Sequence, residues 1–242
     1  MSTPAAQEKH KSASGGWHRR FPRALHVGLY RRSVGVFLSA LVLFIIATPL
    51  SEYVADPGLL EGLLLTAVLI CGVLAVGAQR KTLVLGALLL VPALIAKWVQ
   101  HYRPDLIAPS VFLVPGILLL FLVTGTLLKF VLRAPRVDSE VLSAGVATYL
   151  LLGILWSMAY LLVASVVPDA FVLPADSAPK KSIDPFNALY FSFVTLSTVG
   201  YGDIVPAARV ARMLAILEAI TGVLYLSVLV ARLVTLYTDK TE

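Results

Sequence analysis

The chain has 242 residues, of which 58% are hydrophobic and only 14% are charged, and its mean hydropathy is +0.86. Soluble domains carry about a quarter charged residues and have no interior large enough for this much apolar surface. The composition therefore argues against a soluble enzyme and predicts an integral membrane protein. The net charge of +6 is then read as a bias between the two sides of a membrane, not as a nucleic-acid footprint. The single cysteine, Cys71, excludes an internal disulfide and a CxxC zinc site.

Six apolar runs are each long enough to cross a bilayer as a helix. A helix rises about 1.5 Å per residue, so about 20 residues cross a hydrocarbon core of about 30 Å. The runs are rich in Leu, Val, Ala and Gly and show no alternating pattern, which excludes a β-barrel. The predicted transmembrane helices are 34–50, 58–78, 82–99, 106–128, 141–167 and 208–237.

The basic residues predict the orientation of these spans. Residues 1–33 carry seven Lys or Arg, whereas the loop after the first span carries none. Further basic residues follow the second and fourth spans. Both termini are therefore expected in the cytoplasm, and the long segment 168–207 is expected on the outer side. The head before the first span is too long for a signal peptide, so a retained helix is predicted.

The same patterns divide the chain into three parts. Residues 1–33 form a basic cytoplasmic tail, and a disordered tail against anionic lipid is the simplest interpretation. Residues 34–132 form a four-helix transmembrane domain. Residues 139–242 contain the last two spans and the segment between them.

The segment between the last two spans begins with a short predicted helix, 185–197. Asp184 can cap this helix, and Pro185 suits its first position. Thirteen residues make about 20 Å of helix, which is too short to cross the membrane. The chain must therefore re-enter the membrane and leave on the same side, which is tolerated where the backbone is buried or lines an aqueous path.

Thr198-Val-Gly-Tyr-Gly202 supplies backbone for such a path. Carbonyls point the same way in an extended strand only if alternate residues leave the usual φ/ψ regions, and Gly200 and Gly202 permit positive φ at little cost. These carbonyls and the Thr198 hydroxyl can replace water around a monovalent cation. One chain offers one side of the cage, so four copies around an axis are expected.

Residues 188–203 closely resemble the pore signature of potassium channels, and the resemblance extends over about 140–238. It implies a selectivity filter with K⁺ bound at Thr198, Val199, Gly200 and Tyr201, and completed by Gly202. It also implies four filter-supporting residues: Asp203 just outside the filter, Tyr190 as a hydrogen-bond donor to it, Phe191 as packing, and Val194. Val194 stands where other members have a buried glutamate, so a carboxyl–carboxylate pair behind the filter is not expected.

The last span carries two candidate gating features. Gly222 lies where the family commonly has a hinge glycine, and a hinge or close helix packing are both open interpretations. One helical face is a candidate cavity lining, with packing on neighbouring helices as the alternative. Its residues are Val223, Leu226, Val230 and Val234.

Glu218 is the sole acid inside the last span, and ionisable groups at membrane depth point to function by default. A structural role is predicted, with hydrogen bonds to hydroxyls such as those of Thr195 or Ser197. A pH-sensing or ion-attracting role is the alternative.

The fourth predicted span, 106–128, contains no basic residue, whereas a voltage sensor needs several at regular spacing. The sequence thus predicts a homotetrameric, potassium-selective channel of the plasma membrane that lacks a charged fourth helix for voltage gating. Membrane lipids and K⁺ are the expected partners, and no cofactor, nucleic acid or enzymatic activity is expected. A poorly selective cation channel and a non-conducting modulatory subunit are the alternatives.

Overall fold

A computed structural model of the chain describes residues 23–76, 80–135, 138–174 and 183–238. Seven α-helices, one 3₁₀ helix and two short strands make up this part of the chain. In chain order they are α1 (Arg23–Ala47), the 3₁₀ helix (Pro49–Tyr53), α2 (Pro57–Val76), α3 (Arg80–Tyr102), α4 (Ser110–Arg133), α5 (Ser139–Val166), β1 (Phe171–Val172), α6 (Pro185–Leu196), β2 (Val205–Pro206) and α7 (Arg209–Thr238).

Five helices of the described chain are long and apolar enough to cross a membrane: α2, α3, α4, α5 and α7. The first helix, α1, has 25 residues, and its apolar part is the shorter stretch Val34–Ala47. The helix α6 has only 12 residues, about 18 Å of helix, which is less than a bilayer needs. This architecture confirms the prediction of an all-α membrane fold.

Two predicted boundaries are corrected by the structure. The first helix already begins at Arg23, within the predicted tail 1–33, and residues 1–22 lie outside the described chain. Arg, Ala and Leu are good helix formers. The charged residues at the start of α1 therefore limit the apolar run but do not prevent the helix from forming. The fourth helix begins at Ser110 instead of 106 and continues to Arg133, so it includes Lys129 at its C-terminal end.

One apolar core joins the first four helices to α5. Its buried side chains include Phe37 of α1, Val68 of α2, Leu119 of α4, and Ala144 and Leu151 of α5. The helix α5 packs against α4, α1 and α6. The core therefore gives α6 a fixed support, with α5 in between.

A two-stranded antiparallel ribbon closes the segment between α5 and α7. Phe171 pairs with Pro206 and Val172 pairs with Val205, so the chain after α5 is tied to the chain before α7. The N–H groups of Ala207 and Ala208 also donate to the Ala170 carbonyl. Along the chain, α6 and the residues that follow it lie between the two strands of this ribbon. Residues 175–182, which include much of the predicted outer loop, lie outside the described chain.

Candidate functional site

The short helix α6 begins as the sequence predicts and ends one residue earlier. The Asp184 carboxylate accepts from the Asn187 N–H at 2.9 Å and caps the helix, and Pro185 occupies its first turn. Ser197 is the C-cap instead of the last helical residue. Its N–H donates to the Phe193 carbonyl at 3.0 Å. The helix therefore stops directly before Thr198.

Positive φ alternates along residues 198–202. The values are 59° at Thr198, 56° at Gly200 and 82° at Gly202. The two glycines adopt the region that the sequence analysis required of them. Thr198 does so as well, and a β-branched residue there is an outlier that costs about 1–2 kcal/mol. The sequence does not predict the positive φ of Thr198, because Thr is not a residue that favours positive φ.

Backbone hydrogen bonds hold the start of this segment against α6. The N–H of Thr198 donates to the Thr195 carbonyl at 2.9 Å. The N–H groups of Val199 and Gly200 both donate to the Val194 carbonyl, at 2.9 and 3.3 Å. Val194, predicted to support the filter, thus contributes its backbone. Because these three successive N–H groups donate to carbonyls of α6, they do not point toward the open side of the segment.

Tyr190 and Asp203 form the hydrogen bond that the sequence analysis expected. The Tyr190 hydroxyl donates to Asp203 Oδ2 at 2.7 Å, and the Tyr190 ring stacks on Tyr201 with 6.4 Å between ring centroids and 6° between planes. The donated hydrogen bond holds the pKa of Asp203 below its usual range. The pair therefore connects α6 to the residue just after the filter-like segment.

Phe191 of α6 packs against aromatic side chains of α5 and β1. It is buried and meets Tyr160 and Phe171 edge-on, with ring centroids 4.9 and 5.5 Å apart. Tyr160 comes from α5 and Phe171 from β1. The ribbon and α5 thus hold α6 through Phe191, while Tyr190 and Val194 contact the filter-like segment and Asp203.

Comparison with known proteins gives matches over this same region. A family model described as an ion channel matches residues 145–239, from within α5 through α7. Two pore potassium channel b of Oryza sativa subsp. japonica is 34% identical over 99 residues, which are 40% of this chain and 27% of that protein. Over this region the chain is similar to potassium channels, which supports the resemblance to that family. The family is one of ion channels and not of enzymes.

Two further relatives match shorter stretches of this chain. Two-pore potassium channel 4 of Arabidopsis thaliana is 51% identical over 49 residues, 20% of this chain and 17% of that protein. The voltage-gated potassium channel of Aeropyrum pernix is 39% identical over 57 residues, 24% of this chain and 19% of that protein. The chain spans less than a third of the length of each of these relatives. No solved structure matches it significantly.

The structure corrects the expected partners of Glu218. Its carboxyl group contacts the Tyr160 hydroxyl of α5 and the Ser192 hydroxyl of α6, instead of Thr195 or Ser197. The Ser197 hydroxyl donates to the Phe193 carbonyl of its own helix. Ser192 lies 26 residues before Glu218 and Tyr160 lies 58 before it, so no local spacing could have identified either.

Gly222 lies in direct contact with the C-terminal end of α6. A Cβ atom at this position would be 2.0 Å from the Leu196 carbonyl oxygen, so only glycine fits. Of the two interpretations of Gly222, the structure supports close packing, and the hinge stays a prediction.

The four candidate cavity residues lie on an exposed face of α7 in the single chain, at Val223, Leu226, Val230 and Val234. This face is available to a pore cavity or to another copy of the chain, so cavity lining also stays a prediction.

Substituting Tyr190 by phenylalanine is expected to make Asp203 easier to protonate. A carboxylate with a lowered pKa stays charged to lower pH, so removing its donor moves protonation of Asp203 to higher pH. The carboxyl ¹³C signal of Asp203, followed against pH, measures the midpoint directly. Tyr53→Phe is the control, because Tyr53 is exposed and lies outside this region. An unchanged midpoint in Tyr190→Phe would contradict the assignment.

Proposed function

We propose that this chain is one subunit of a homotetrameric channel that conducts K⁺ selectively and passively across the plasma membrane. The observation that carries the proposal is the alternation of positive φ along Thr198-Val-Gly-Tyr-Gly202, with three amides engaged by α6. This backbone is suited to a row of carbonyl ligands, which replace the hydration shell of a K⁺ ion. Residues 139–242 then form the pore domain, with α6 as the pore helix.

The permeant ion binds to oxygen atoms of the filter in this proposal. The carbonyl groups of Thr198, Val199, Gly200 and Tyr201, with the Thr198 hydroxyl, are the ligands, and Gly202 completes the turn toward Asp203. The C-terminal carbonyls of α6 precede the filter directly and add partial negative charge that favours a cation. No cofactor takes part, since conduction moves the ion without chemical change.

Four copies are needed because each chain carries a single filter segment. In one chain Val199 and Tyr201 are 54% and 71% exposed, and the candidate cavity face of α7 is exposed as well. Apolar side chains of this size at a filter are expected to be covered by neighbouring subunits or by lipid. The tetramer both closes the ion cage and buries these surfaces.

The first four helices, 34–132 by the sequence, support the pore without forming a voltage sensor. The described basic residues of α4 are Lys129 and Arg133, and both lie in its last five residues. Each charge that crosses the full field supplies about 2.3 kcal/mol per 100 mV, so charges at one end of a helix supply little. The excess of basic residues before and between the helices supports a cytoplasmic position for both termini.

The function is tested with purified protein in liposomes that have K⁺ on one side and Na⁺ on the other. A reversal potential near the K⁺ equilibrium value, block by Ba²⁺ and a shallow voltage dependence are expected. A reversal potential near zero with flux would favour the poorly selective cation channel. A tetramer in native mass measurements without flux at any pH or voltage would favour the non-conducting subunit. Protein-free liposomes are the control.

A further inference from the structure

A buried cluster joins the three helices of the pore domain at Glu218. This side chain of α7 is completely buried, with 0% of its surface exposed. One carboxyl oxygen contacts the Tyr160 hydroxyl of α5. The other lies 2.5 Å from the Ser192 hydroxyl oxygen of α6. The Ser192 oxygen in turn lies 2.7 Å from the Gly153 carbonyl oxygen of α5.

These three contacts need three hydrogen atoms, and the two hydroxyl groups supply only two. The Tyr160 hydrogen serves its contact with Glu218. The Ser192 hydrogen serves either Glu218 or Gly153, because both distances are too short for a single shared hydrogen. Two oxygen acceptors at such a distance without a hydrogen between them would repel each other. The third hydrogen must therefore lie on the carboxyl group itself.

The electrostatic surroundings of Glu218 agree with this count. Glu218 forms no ion pair within the described part of the chain, and an unpaired charge at membrane depth is costly. The titratable groups that face it are tyrosines of α5, Tyr160 and Tyr149. Four other titratable or charged groups of α6 and α7 are engaged elsewhere: Tyr190 with Asp203, Arg212 with the Pro206 carbonyl, Tyr225 with the Gly145 carbonyl and Arg232 with the Ala134 carbonyl.

We infer that Glu218 is a neutral carboxylic acid that positions the pore helix: its O–H donates to Ser192, and Ser192 donates to the Gly153 carbonyl. The relay runs from α7 through α6 to α5, and its role in conduction rests on the function proposed above. Tyr160 donates to the remaining carboxyl oxygen and holds the acid in place.

The relay belongs to a continuous seam between α6 and α7. Glu218 contacts Ser192, and Gly222, four residues later, contacts Leu196, also four residues later. Residues four apart lie on one helical face, so the polar contact and the close contact follow each other along the seam. The filter begins two residues after Leu196. Any displacement of α7 along this seam is thus transmitted to the base of the filter.

The protonation state is tested by infrared spectroscopy of the purified full chain in lipid nanodiscs. The wild type is expected to show the C=O stretching band of a protonated carboxylic acid at neutral pH. The band should be absent in Glu218→Gln and shifted in Ser192→Ala, because the relay loses its first acceptor. Absence of a Glu218 band in the wild type would overturn the inference. This readout needs no ion flux, so it is independent of the proposed function.

Flux through three variants tests the positioning role. A glutamine amide donates to Ser192 and its carbonyl accepts from Tyr160, so Glu218→Gln should conduct like the wild type. Glu218→Asp is too short to keep both contacts, and Ser192→Ala removes the relay, so each should lose about tenfold or more of the flux. Ser143→Ala is the matched control, since that exposed hydroxyl of α5 donates to the Ser139 carbonyl of its own helix.

The opposite order of effects would overturn the inference. If Glu218→Asp conducts normally and Glu218→Gln does not, the carboxyl group acts as an ionised carboxylate. If no wild-type flux is found but the acid band is present, the proposed function fails while the protonation state of Glu218 stands.

Discussion

Replacing Gly222 by alanine is expected to abolish K⁺ flux and to lower the thermal stability of the protein. The added Cβ would lie 2.0 Å from the Leu196 carbonyl oxygen and 3.0 Å from its carbon. Leu196 is buried and is the last residue of α6, so its backbone has no free space to move into. Overpacking at such a position costs about 1–3 kcal/mol, and the displaced group lies two residues before the filter. Flux and the thermal unfolding midpoint are measured on the same preparation.

Two other glycines of the membrane helices serve as controls for Gly222. A Cβ at Gly125 would meet nothing within 4 Å, so Gly125→Ala should keep wild-type flux and stability. At Gly116 the near atom is the terminal methyl of Met158 at 2.7 Å, which is flexible, so Gly116→Ala should have a small effect. If Gly222→Ala loses flux but keeps its unfolding midpoint, the hinge interpretation would replace close packing.

Replacing Gly200 by alanine is expected to eliminate K⁺-selective flux without preventing folding. Gly200 has a φ of +56°, a region that costs an L-residue about 1–2 kcal/mol, and in the proposed tetramer this cost recurs in each subunit. A Cβ there would meet no atom within 4 Å of the same chain, so the effect arises from the backbone and not from a clash. The carbonyls on either side would turn away from the ion path. Reversal potential and flux under opposed K⁺ and Na⁺ gradients measure the loss.

Val199→Ala is the matched control for Gly200→Ala. Val199 lies next to Gly200 in the same segment but does not have positive φ, so alanine keeps the backbone conformation. Its N–H bond to the Val194 carbonyl is also unaffected by the substitution. Selectivity should therefore survive in Val199→Ala. A wild-type reversal potential in Gly200→Ala would contradict the carbonyl cage as the site of selection.

Local patterns predicted much of the site. Asp184 and Pro185 stand next to each other at the start of α6, and their preferences for the cap and the first turn act within one turn of helix. Gly200 and Gly202 adopt the backbone region for which glycine is suited. The Tyr190–Asp203 hydrogen bond was also expected, on the resemblance to potassium channels, and it is present.

Features that join distant parts of the chain were missed or misjudged. The ribbon between β1 and β2 is two residues long on each strand, too short to produce a strand pattern. The strained Thr198 owes its conformation to the bonds that α6 makes with the following amides. The sequence predicts partners for Glu218 on the wrong turn of α6, because helical periodicity alone does not define how far one helix is shifted along its axis relative to another.

The sequence by itself determined that this protein is an all-α membrane protein with a re-entrant segment and a potassium-channel signature. Those conclusions rest on hydropathy, helix length and the conformational range of single residues, which are properties of short stretches. Only the tertiary structure decided that Gly222 meets the Leu196 carbonyl and that Glu218 joins Ser192 and Tyr160. Contacts of this kind depend on how side chains of separate helices fill a shared interior, and that packing is settled by all of the helices together.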